Sequence, residues 1–192
     1  APAFFFAAAP SGGSGSVAFV FPGSGSQFVG MARELSADWP EVLRALDREN
    51  ARLSSQMAHG QLWNGWSRES SPPDHRSLIL AQVSTGALVC DLVRSFGVSP
   101  GAVIGYSLGE SAGLFALRAW RDRDEMLRRM EASSLFTEDL AGPCRAAHRA
   151  WGLRAGESVE WTAGVLDRPA GAVREILRGR ARAYLLIVNT PR

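Results

Sequence analysis

Several features that define large protein classes are absent from this sequence. Its 192 residues include only two cysteines, Cys90 and Cys144, which form neither a CxxC pair nor a metal-ligand pattern. This excludes a disulfide scaffold and a cysteine-based metal site, and it fits a reduced, cytoplasmic protein. No apolar run approaches the roughly 20 residues needed to cross a bilayer, so we expect no membrane-spanning segment.

Strong charge of either sign is also absent. The formal net charge is +2 at pH 7, and acidic and basic residues are mixed along the chain. This excludes an extended nucleic-acid surface, although the mild excess of arginine is compatible with an acidic or phosphorylated partner. Hydrophobic residues make up 46% of the chain and charged residues 21%, which is the balance of a globular domain with a substantial core.

The two ends of the chain indicate a piece of a larger polypeptide. Residues 1–9 are apolar but lack a basic leader, which argues against a signal peptide. Residues 10–16 have the Pro, Ser and Gly composition of a flexible linker. We therefore assign residues 1–16 to a linker within a multidomain protein. Because the chain ends at Arg192, directly after an apolar run, we expect it to be a fragment.

Patterns along the chain predict an α/β fold. Short apolar runs bounded by glycine indicate buried strands, and longer runs with apolar residues every three or four positions indicate helices. In chain order the predicted elements are a strand at 17–21, a Gly-rich loop at 22–27, a helical region to residue 53, an irregular stretch at 55–74, a helix at 77–96, a strand at 102–104 and a helix to 117.

A smaller α+β unit is predicted in the last third of the chain. Asp122 and Glu125 form a D-x-x-E pattern that resembles a capping box and opens a helix. Further on, residues 158–166 predict a strand, residues 169–179 a helix that starts at proline and closes at glycine, and residues 183–188 a strand. The predicted boundaries are 1–16 for the linker, 17–140 for the core and 141–192 for the second domain.

The most informative pattern is Gly-Tyr-Ser-Leu-Gly at residues 105–109. The motif G-x-S-x-G needs its glycines because the serine lies on a strained bend from strand to helix, where side chains would collide with backbone. The bend exposes the serine hydroxyl at a helix N-terminus, whose amides can stabilise an oxyanion. With a strand before it and a helix after it, the motif predicts that Ser107 is a nucleophile. The alternative is a Gly-rich turn with a capping serine.

A second motif, Phe-Pro-Gly-Ser-Gly-Ser-Gln, occupies residues 21–27. A Gly-rich turn after a strand could cradle a phosphate, but neither dinucleotide nor P-loop spacing is present. Together the two motifs resemble the malonyl-CoA:acyl-carrier-protein transacylase family, which includes acyltransferase domains of fatty-acid and polyketide synthases. Residues 188–191, Val-Asn-Thr-Pro, are similar to a strand end in that family's inserted subdomain. The sequence of residues 105–111 is similar to that in acyltransferase domains of polyunsaturated-fatty-acid synthases.

The resemblance implies a fold and a mechanism. The fold is a hydrolase-like parallel sheet flanked by helices, with part of an inserted ferredoxin-like α+β subdomain. Ser107 takes an acyl group from acyl-CoA, and the phosphopantetheine thiol of an acyl carrier protein removes it, within a multidomain synthase. No metal, bound cofactor, nucleic acid or membrane is implied. Backbone amides of Ser24 and Leu108 form the oxyanion hole, although the family usually has glutamine where Ser24 stands. Gln82 lines the pocket or, alternatively, makes a helix–helix contact.

One departure from the family concerns the general base. A serine hydroxyl needs a nearby histidine to become a good nucleophile. In the family this histidine follows the inserted subdomain, whereas His59, His75 and His148 match ordinary surface histidines. We therefore expect little turnover from this chain alone.

A second departure concerns the acyl group. Family members that use malonyl groups place an arginine about one helix beyond the serine, where it pairs with the substrate carboxylate. The matching residue here is Ala132, with Arg128 and Arg129 nearby. Either a shifted arginine binds the carboxylate, or the acyl group has none, which we favour.

Two other functions use the same motif. A serine hydrolase or thioesterase that clears acyl groups from carrier proteins would let water attack the acyl-enzyme, and an inactive docking domain in a synthase would do no chemistry. Nothing in the sequence fixes the acid of the order serine, acid, histidine that ordinary α/β-hydrolases follow. The motif at residues 21–27 favours a transferase.

Overall fold

The structure is a computed structural model, and it divides into two compact units. The described residues are 15–51, 56–57, 63 and 75–190. The units comprise residues 1–133 and 134–192. His59 and most of the stretch predicted to be irregular, residues 55–74, lie outside the described residues.

A parallel sheet of two strands lies at the centre of the first unit. Strands β1 (Ala18–Phe21) and β2 (Ala102–Gly105) pair in register, from Ala18 opposite Ala102 to Phe21 opposite Gly105. Parallel strands require a crossover connection, which here contains helices. Both strands lie where the sequence predicts them, and the α/β fold class is confirmed. The helices of this unit are α1 (Arg33–Asp38), α2 (Pro40–Glu49), α3 (His75–Ser95), α4 (Leu108–Ala116) and α5 (Arg123–Ala132).

The core of the first unit forms where α3 and α4 pack against the sheet. Phe21, at the end of β1, places its ring between them, in contact range of Gly86 on α3 and Gly113 on α4. The small residue Gly86 in the middle of α3 therefore permits close packing. Buried apolar side chains surround this contact, including Leu46, Val83, Leu88, Phe115 and Ala116. The structure thus places the sheet end against this buried core.

Helix α3 is the one described helix that is long and apolar enough to cross a membrane by length and composition. It has 21 residues and a mean hydropathy of 1.3 over its most apolar window, which the sequence analysis did not anticipate. Half of that window is buried inside the structure. We interpret α3 as a core helix because its apolar side chains have protein neighbours.

Polar contacts fix the ends of two helices. Asp122 caps α5, accepting a hydrogen bond from the Glu125 amide at 2.8 Å, as the D-x-x-E pattern predicts. Just after α4, Arg118 has a left-handed backbone with φ of 59°. Its guanidinium donates to Asp91 on α3 at 2.6 Å and to Glu49 on α2 at 3.0 Å. One arginine therefore ties the C-terminal end of α4 to two other helices.

The second unit contains a π-helical segment and two short helices among its described residues. These are the π segment Leu135–Asp139, α6 (Arg145–Ala150) and α7 (Ala170–Leu177). The helix expected from Pro169 to Gly179 is confirmed. The strands predicted at residues 158–166 and 183–188 are wrong, because both segments are irregular in the structure. The ferredoxin-like subdomain stays a prediction.

A missing pairing partner explains the absent strands. A strand satisfies its backbone N–H and C=O groups only by pairing with a neighbour. Within the described part of the chain the sheet contains β1 and β2 alone. The apolar side chains of the two segments are accordingly exposed, with Val165 at 88% and Leu186 at 77%.

Candidate active site

Ser107 lies on the sharp turn that joins β2 to α4. Its backbone has φ of 54° and ψ of −116°, an unfavourable conformation for a residue with a side chain. The residue is exposed and precedes the first residue of α4. Its hydroxyl makes no hydrogen bond to the helix end it caps. Strain of this kind persists only where surrounding structure enforces it, and it is concentrated at functional sites.

Two glycines allow this turn. A Cβ at position 105 would overlap the backbone N and Cα atoms of Glu110, and a Cβ at position 109 would overlap the carbonyl oxygen of Phe21. These neighbours are backbone atoms, which cannot move aside as a flexible side chain can. The Gly-x-Ser-x-Gly spacing is therefore a packing requirement, as the sequence analysis argues.

The Gly-rich loop after β1 lies beside this turn. The Tyr106 amide donates to the Phe21 carbonyl oxygen at 3.1 Å, which extends the pairing of the two strands beyond their ends. A Cβ on Gly23 would be only 2.8 Å from Cδ1 of Tyr106. The two motifs, about eighty residues apart in sequence, thus meet at the C-terminal ends of neighbouring parallel strands. Ligands of open α/β sheets bind at such ends.

Two backbone amides at this place have no hydrogen-bond acceptor among the described residues. They belong to Ser24 and Leu108, the residues expected to form an oxyanion hole. The adjacent amides are occupied, since Gly25 donates to the side chain of Gln27 at 3.1 Å and Gly109 donates to a carbonyl oxygen of the turn at 2.9 Å. Leu108 is also the first residue of α4, where the helix dipole favours negative charge. The arrangement can stabilise an oxyanion beside the serine.

Gln82 contacts the Gly-rich loop. Its side chain is buried on α3, and Nε2 donates to the carbonyl oxygens of Gly23 at 2.5 Å and Pro22 at 3.2 Å. The sequence analysis assigns Gln82 either to the pocket wall or to a helix–helix contact. The structure instead places its amide nitrogen against the backbone of the loop that carries Ser24. The pocket role stays a prediction.

Two histidines, His75 and His148, lie among the described residues, and His59 lies outside them. His75 is the exposed first residue of α3. His148 belongs to the second unit, where its Nε2 lies 3.1 Å from the Arg154 carbonyl oxygen. In the part of the chain that the structure describes, no histidine is hydrogen-bonded to Ser107. No hydrogen bond within the described residues therefore identifies a general base.

Arg128 and Arg129 point along the surface of α5. Both donate to the carboxylate of Glu125, at 2.7 Å and 2.6 Å respectively. These bonds, that from Arg128 first, hold the pKa of Glu125 at about 2, well below its usual range. Each arginine thus already has a carboxylate partner. Their predicted role in substrate binding stays a prediction, and Ala132 ends the same helix.

Two contacts of the site were not predicted from the sequence. The ring of Tyr106 packs over Gly23, and the side chain of Gln27 accepts from the Gly25 amide. Both residues stand within the quoted motifs. The only sequence signal was their position, since Gln27 follows Gly25 by two residues and Tyr106 precedes the serine.

Comparison with known proteins agrees with this geometry. The family model for the acyl transferase domain matches residues 18–165, which contain both strands and both loops. The chain belongs to the acyl transferase domain family. The family resemblance that the two motifs indicate is therefore confirmed. Polyketide synthases contain domains of the same family.

Curated relatives of this acyl transferase domain are multidomain polyketide synthases. The highly reducing polyketide synthase ALT1 of Alternaria alternata is 39% identical over 107 residues, 52% of this chain and 4% of the relative. Polyketide synthase GfsE of Streptomyces halstedii is 35% identical over 113 residues, 54% of this chain and 3% of the relative. The chain thus matches only a few per cent of the length of these proteins.

One solved structure was also found. It is the acyl transferase domain of SpnD in complex with 2-(pent-4-yn-1-yl)malonyl, with 28% identity and a TM-score of 0.42. The match covers 53% of this chain and 24% of that chain.

Proposed function

We propose that this domain transfers an acyl group from acyl-CoA to the phosphopantetheine thiol of an acyl carrier protein, as part of a cytoplasmic multidomain synthase for polyketides or fatty acids. The observation that carries the proposal is the exposed, strained Ser107 beside the amides of Ser24 and Leu108, which have no acceptor among the described residues. Membership of the acyl transferase domain family supports the same chemistry.

The reaction divides into two acyl transfers. The Ser107 oxygen attacks the thioester carbon, its proton passes to a general base, and the carbonyl oxygen becomes an oxyanion that accepts from the Ser24 and Leu108 amides. The carbon–sulfur bond then breaks, and coenzyme A leaves with a proton. In the second half, the carrier-protein thiol attacks the serine ester, its proton passes to the base, and the serine oxygen recovers a proton as the ester bond breaks.

The general base belongs to a part of the protein other than the described residues. The family resemblance places a histidine after the inserted subdomain. A serine without such a base reacts slowly because its hydroxyl is almost fully protonated at neutral pH. We therefore expect this chain to acylate Ser107 once, slowly, and to turn over little.

The acyl group transferred has no free carboxylate. Ala132 offers no cation where malonyl-specific relatives place arginine, and Arg128 and Arg129 are already bonded to Glu125. A malonyl carboxylate would have to compete with Glu125 for them. Acetyl or longer alkyl acyl groups have no such requirement.

Intact-protein mass spectrometry tests the proposal. The chain is incubated with acetyl-CoA, a longer acyl-CoA or malonyl-CoA, and the added acyl mass is located by peptide mapping. We expect acetyl or longer acyl groups on Ser107, no label in Ser107→Ala, and normal label in Ser99→Ala, an exposed serine at the other end of β2. Label that persists in Ser107→Ala would contradict the proposal, and selective malonyl labelling would contradict the assignment of a neutral acyl group.

Adding a carrier protein separates transfer from hydrolysis. The acylated chain is mixed with holo carrier protein, with apo carrier protein that lacks the thiol, or with buffer. Acyl transfer only to the holo form supports a transferase. Equal loss of the acyl group in buffer would identify a hydrolase instead.

A further inference from the structure

The side chain of Gln82 donates a hydrogen bond to the peptide group that carries the Ser24 amide. Its Nε2 lies 2.5 Å from the carbonyl oxygen of Gly23. That carbonyl and the Ser24 N–H belong to the same peptide unit, which is planar and trans. In a trans peptide the C=O and N–H bonds point in opposite directions. Fixing the direction of one therefore fixes the direction of the other.

Apart from the Tyr106 ring over Gly23 and the hydrogen bond from the Gly25 amide to Gln27, the loop itself offers few restraints on the orientation of this peptide. Gly23 has no Cβ, and Gly25 adopts a left-handed backbone with φ of 95°. Glycine has the least restricted backbone dihedral angles of any residue type, so the chain on either side of this peptide restrains it weakly. Pro22 has no N–H to donate. Among the described residues, Gln82 is the donor for the carbonyl oxygens of both Pro22 and Gly23.

The position of Gln82 suits this task because α3 is rigid there. The side chain is only 7% exposed and its neighbours Ala81 and Val83 are fully buried. Helix α3 also packs closely against α4, whose first residue supplies the other free amide. A buried donor on a packed helix therefore fixes where the carbonyl oxygens of the loop lie relative to that helix.

We propose that Gln82 is a positioning residue, which aims the Ser24 N–H at the oxyanion by holding the carbonyl oxygen of the same peptide. The inference rests on the proposed acyl transfer, because it assigns the origin of one half of the oxyanion hole. It differs from a pocket-lining role, since the amide nitrogen contacts the loop backbone and acts on the acyl group only through Ser24.

Three substitutions test this role in the 192-residue chain. Gln82→Leu keeps the size but removes the donor, Gln82→Asn is too short to reach both carbonyl oxygens, and Gln82→Glu replaces the donor with a carboxylate. The control is Gln56→Leu, because Gln56 is another buried glutamine, and it bonds to Asp124 and Arg123 rather than to the loop. Thermal melting curves give the folded fraction of each variant at the assay temperature.

The main readout is the rate of Ser107 acylation by acetyl-CoA, per folded protein. Complete removal of an oxyanion-hole donor slows catalysis about 100- to 1,000-fold. A misaligned donor retains part of its effect, so we expect Gln82→Leu and Gln82→Asn to slow acylation about 10- to 100-fold, and Gln56→Leu to leave it unchanged. Equal rates in Gln82→Leu and Gln56→Leu would overturn the proposal.

The pH dependence of Gln82→Glu separates positioning from packing. A protonated carboxyl can donate one hydrogen bond to Gly23, whereas a carboxylate repels both carbonyl oxygens. The rate of Gln82→Glu relative to the native chain should therefore rise as the pH falls through the pKa of the introduced carboxyl. A ratio that is independent of pH would contradict the proposal.

The amide resonance of Ser24 provides a readout that does not require catalysis. Gln82→Leu should shift the ¹H–¹⁵N signal of Ser24, while Gln56→Leu should not. If the native chain is never acylated at Ser107, the proposed function fails, and this signal alone decides the role of Gln82. An unchanged Ser24 signal in Gln82→Leu would then overturn it.

Discussion

The two units of the chain differ in how much of their apolar surface is buried. In the first unit, a contiguous core joins the sheet end to α2, α3 and α4, with Leu46 and Ala116 fully buried. In the described part of the second unit, the buried apolar residues are Cys144 and Val173. Because burial supplies most of the free energy of folding, the comparison teaches that stability and the geometry of the candidate site are concentrated in the same unit.

Polar interactions show the same contrast. Arg118 of the first unit is only partly exposed and bonds to carboxylates on two different helices. The second unit has ion pairs such as that between Arg178 and Glu175, three residues apart on one exposed stretch. Exposed pairs contribute little to stability, about 0–1 kcal/mol. Ion pairs therefore contribute little to holding distant segments of the second unit together.

Glycine substitutions give the largest expected difference between the units. In Gly109→Ala the new Cβ meets the backbone of Phe21 and Pro22, and we expect destabilisation by about 3 kcal/mol, at the upper end for overpacking. In Gly171→Ala, on α7, nothing lies within 4 Å of the new Cβ. A helical alanine is favoured over glycine by about 0.5–1 kcal/mol. Urea unfolding measures both, and a similar loss at the two positions would remove the contrast.

Leucine truncations test the core directly. Leu46 is 0% exposed and Leu186 is 77% exposed. We expect Leu46→Ala to lower the free energy of unfolding by about 3 kcal/mol, through lost burial and a cavity. Leu186→Ala should change it by less than about 0.5 kcal/mol. A large loss from Leu186→Ala would show that this residue is covered in solution.

The smallest expected effect concerns two carboxyl groups, one in each unit, and how far salt shifts their pKa values. The pKa of Glu125 is held at about 2, first by hydrogen bonds from Arg128 and Arg129. The pKa of Asp139 in the second unit is lowered first by the Ser134 hydroxyl, and then by Arg149. NMR titration should show that salt raises the pKa of Glu125 more than that of Asp139, because screening weakens ion pairs. Equal shifts would contradict these causes.

The same titration fixes the sign of the dependence of stability on pH. A carboxyl with a lowered folded pKa stabilises the fold above its unfolded pKa, and this contribution is lost as the pH falls through the folded value. For Glu125 the window runs from its ordinary pKa of 4.5 down to about 2. Arg128→Gln should narrow that window by raising the pKa of Glu125, whereas Ser134→Ala should act only on Asp139.

Helices and paired strands were predictable from the sequence, and unpaired strands were not. Helix α7 forms as expected because its backbone hydrogen bonds are local. The run at residues 17–21 forms a strand because β2 lies beside it, while the run at 183–188 has a similar pattern and no partner among the described residues. A strand pattern reports suitability for a sheet, and pairing depends on another segment that the pattern does not identify.

The candidate site was predictable where a motif implies a backbone shape. The strained turn at Ser107 and its glycines follow from the Gly-x-Ser-x-Gly spacing, whereas the role of the Ser24 and Leu108 amides as an oxyanion hole stays a prediction. The contact of Gln82 was not predictable, because it depends on how α3 faces a loop about sixty residues earlier. The pairing of Arg128 and Arg129 with Glu125 was also missed, although i, i+3 and i, i+4 spacing is a readable signal.

The position of Phe21 has a consequence for the variation that this site can accept. Its carbonyl oxygen receives the Tyr106 amide and abuts Gly109, while its ring lies between Gly86 and Gly113. Phe21 therefore helps to place both Ser107 and the Gly-rich loop of residues 22–27. A larger or smaller side chain at position 21 would displace Ser107 and the Gly-rich loop together. Substitutions that compensate for it would therefore be needed on both α3 and α4.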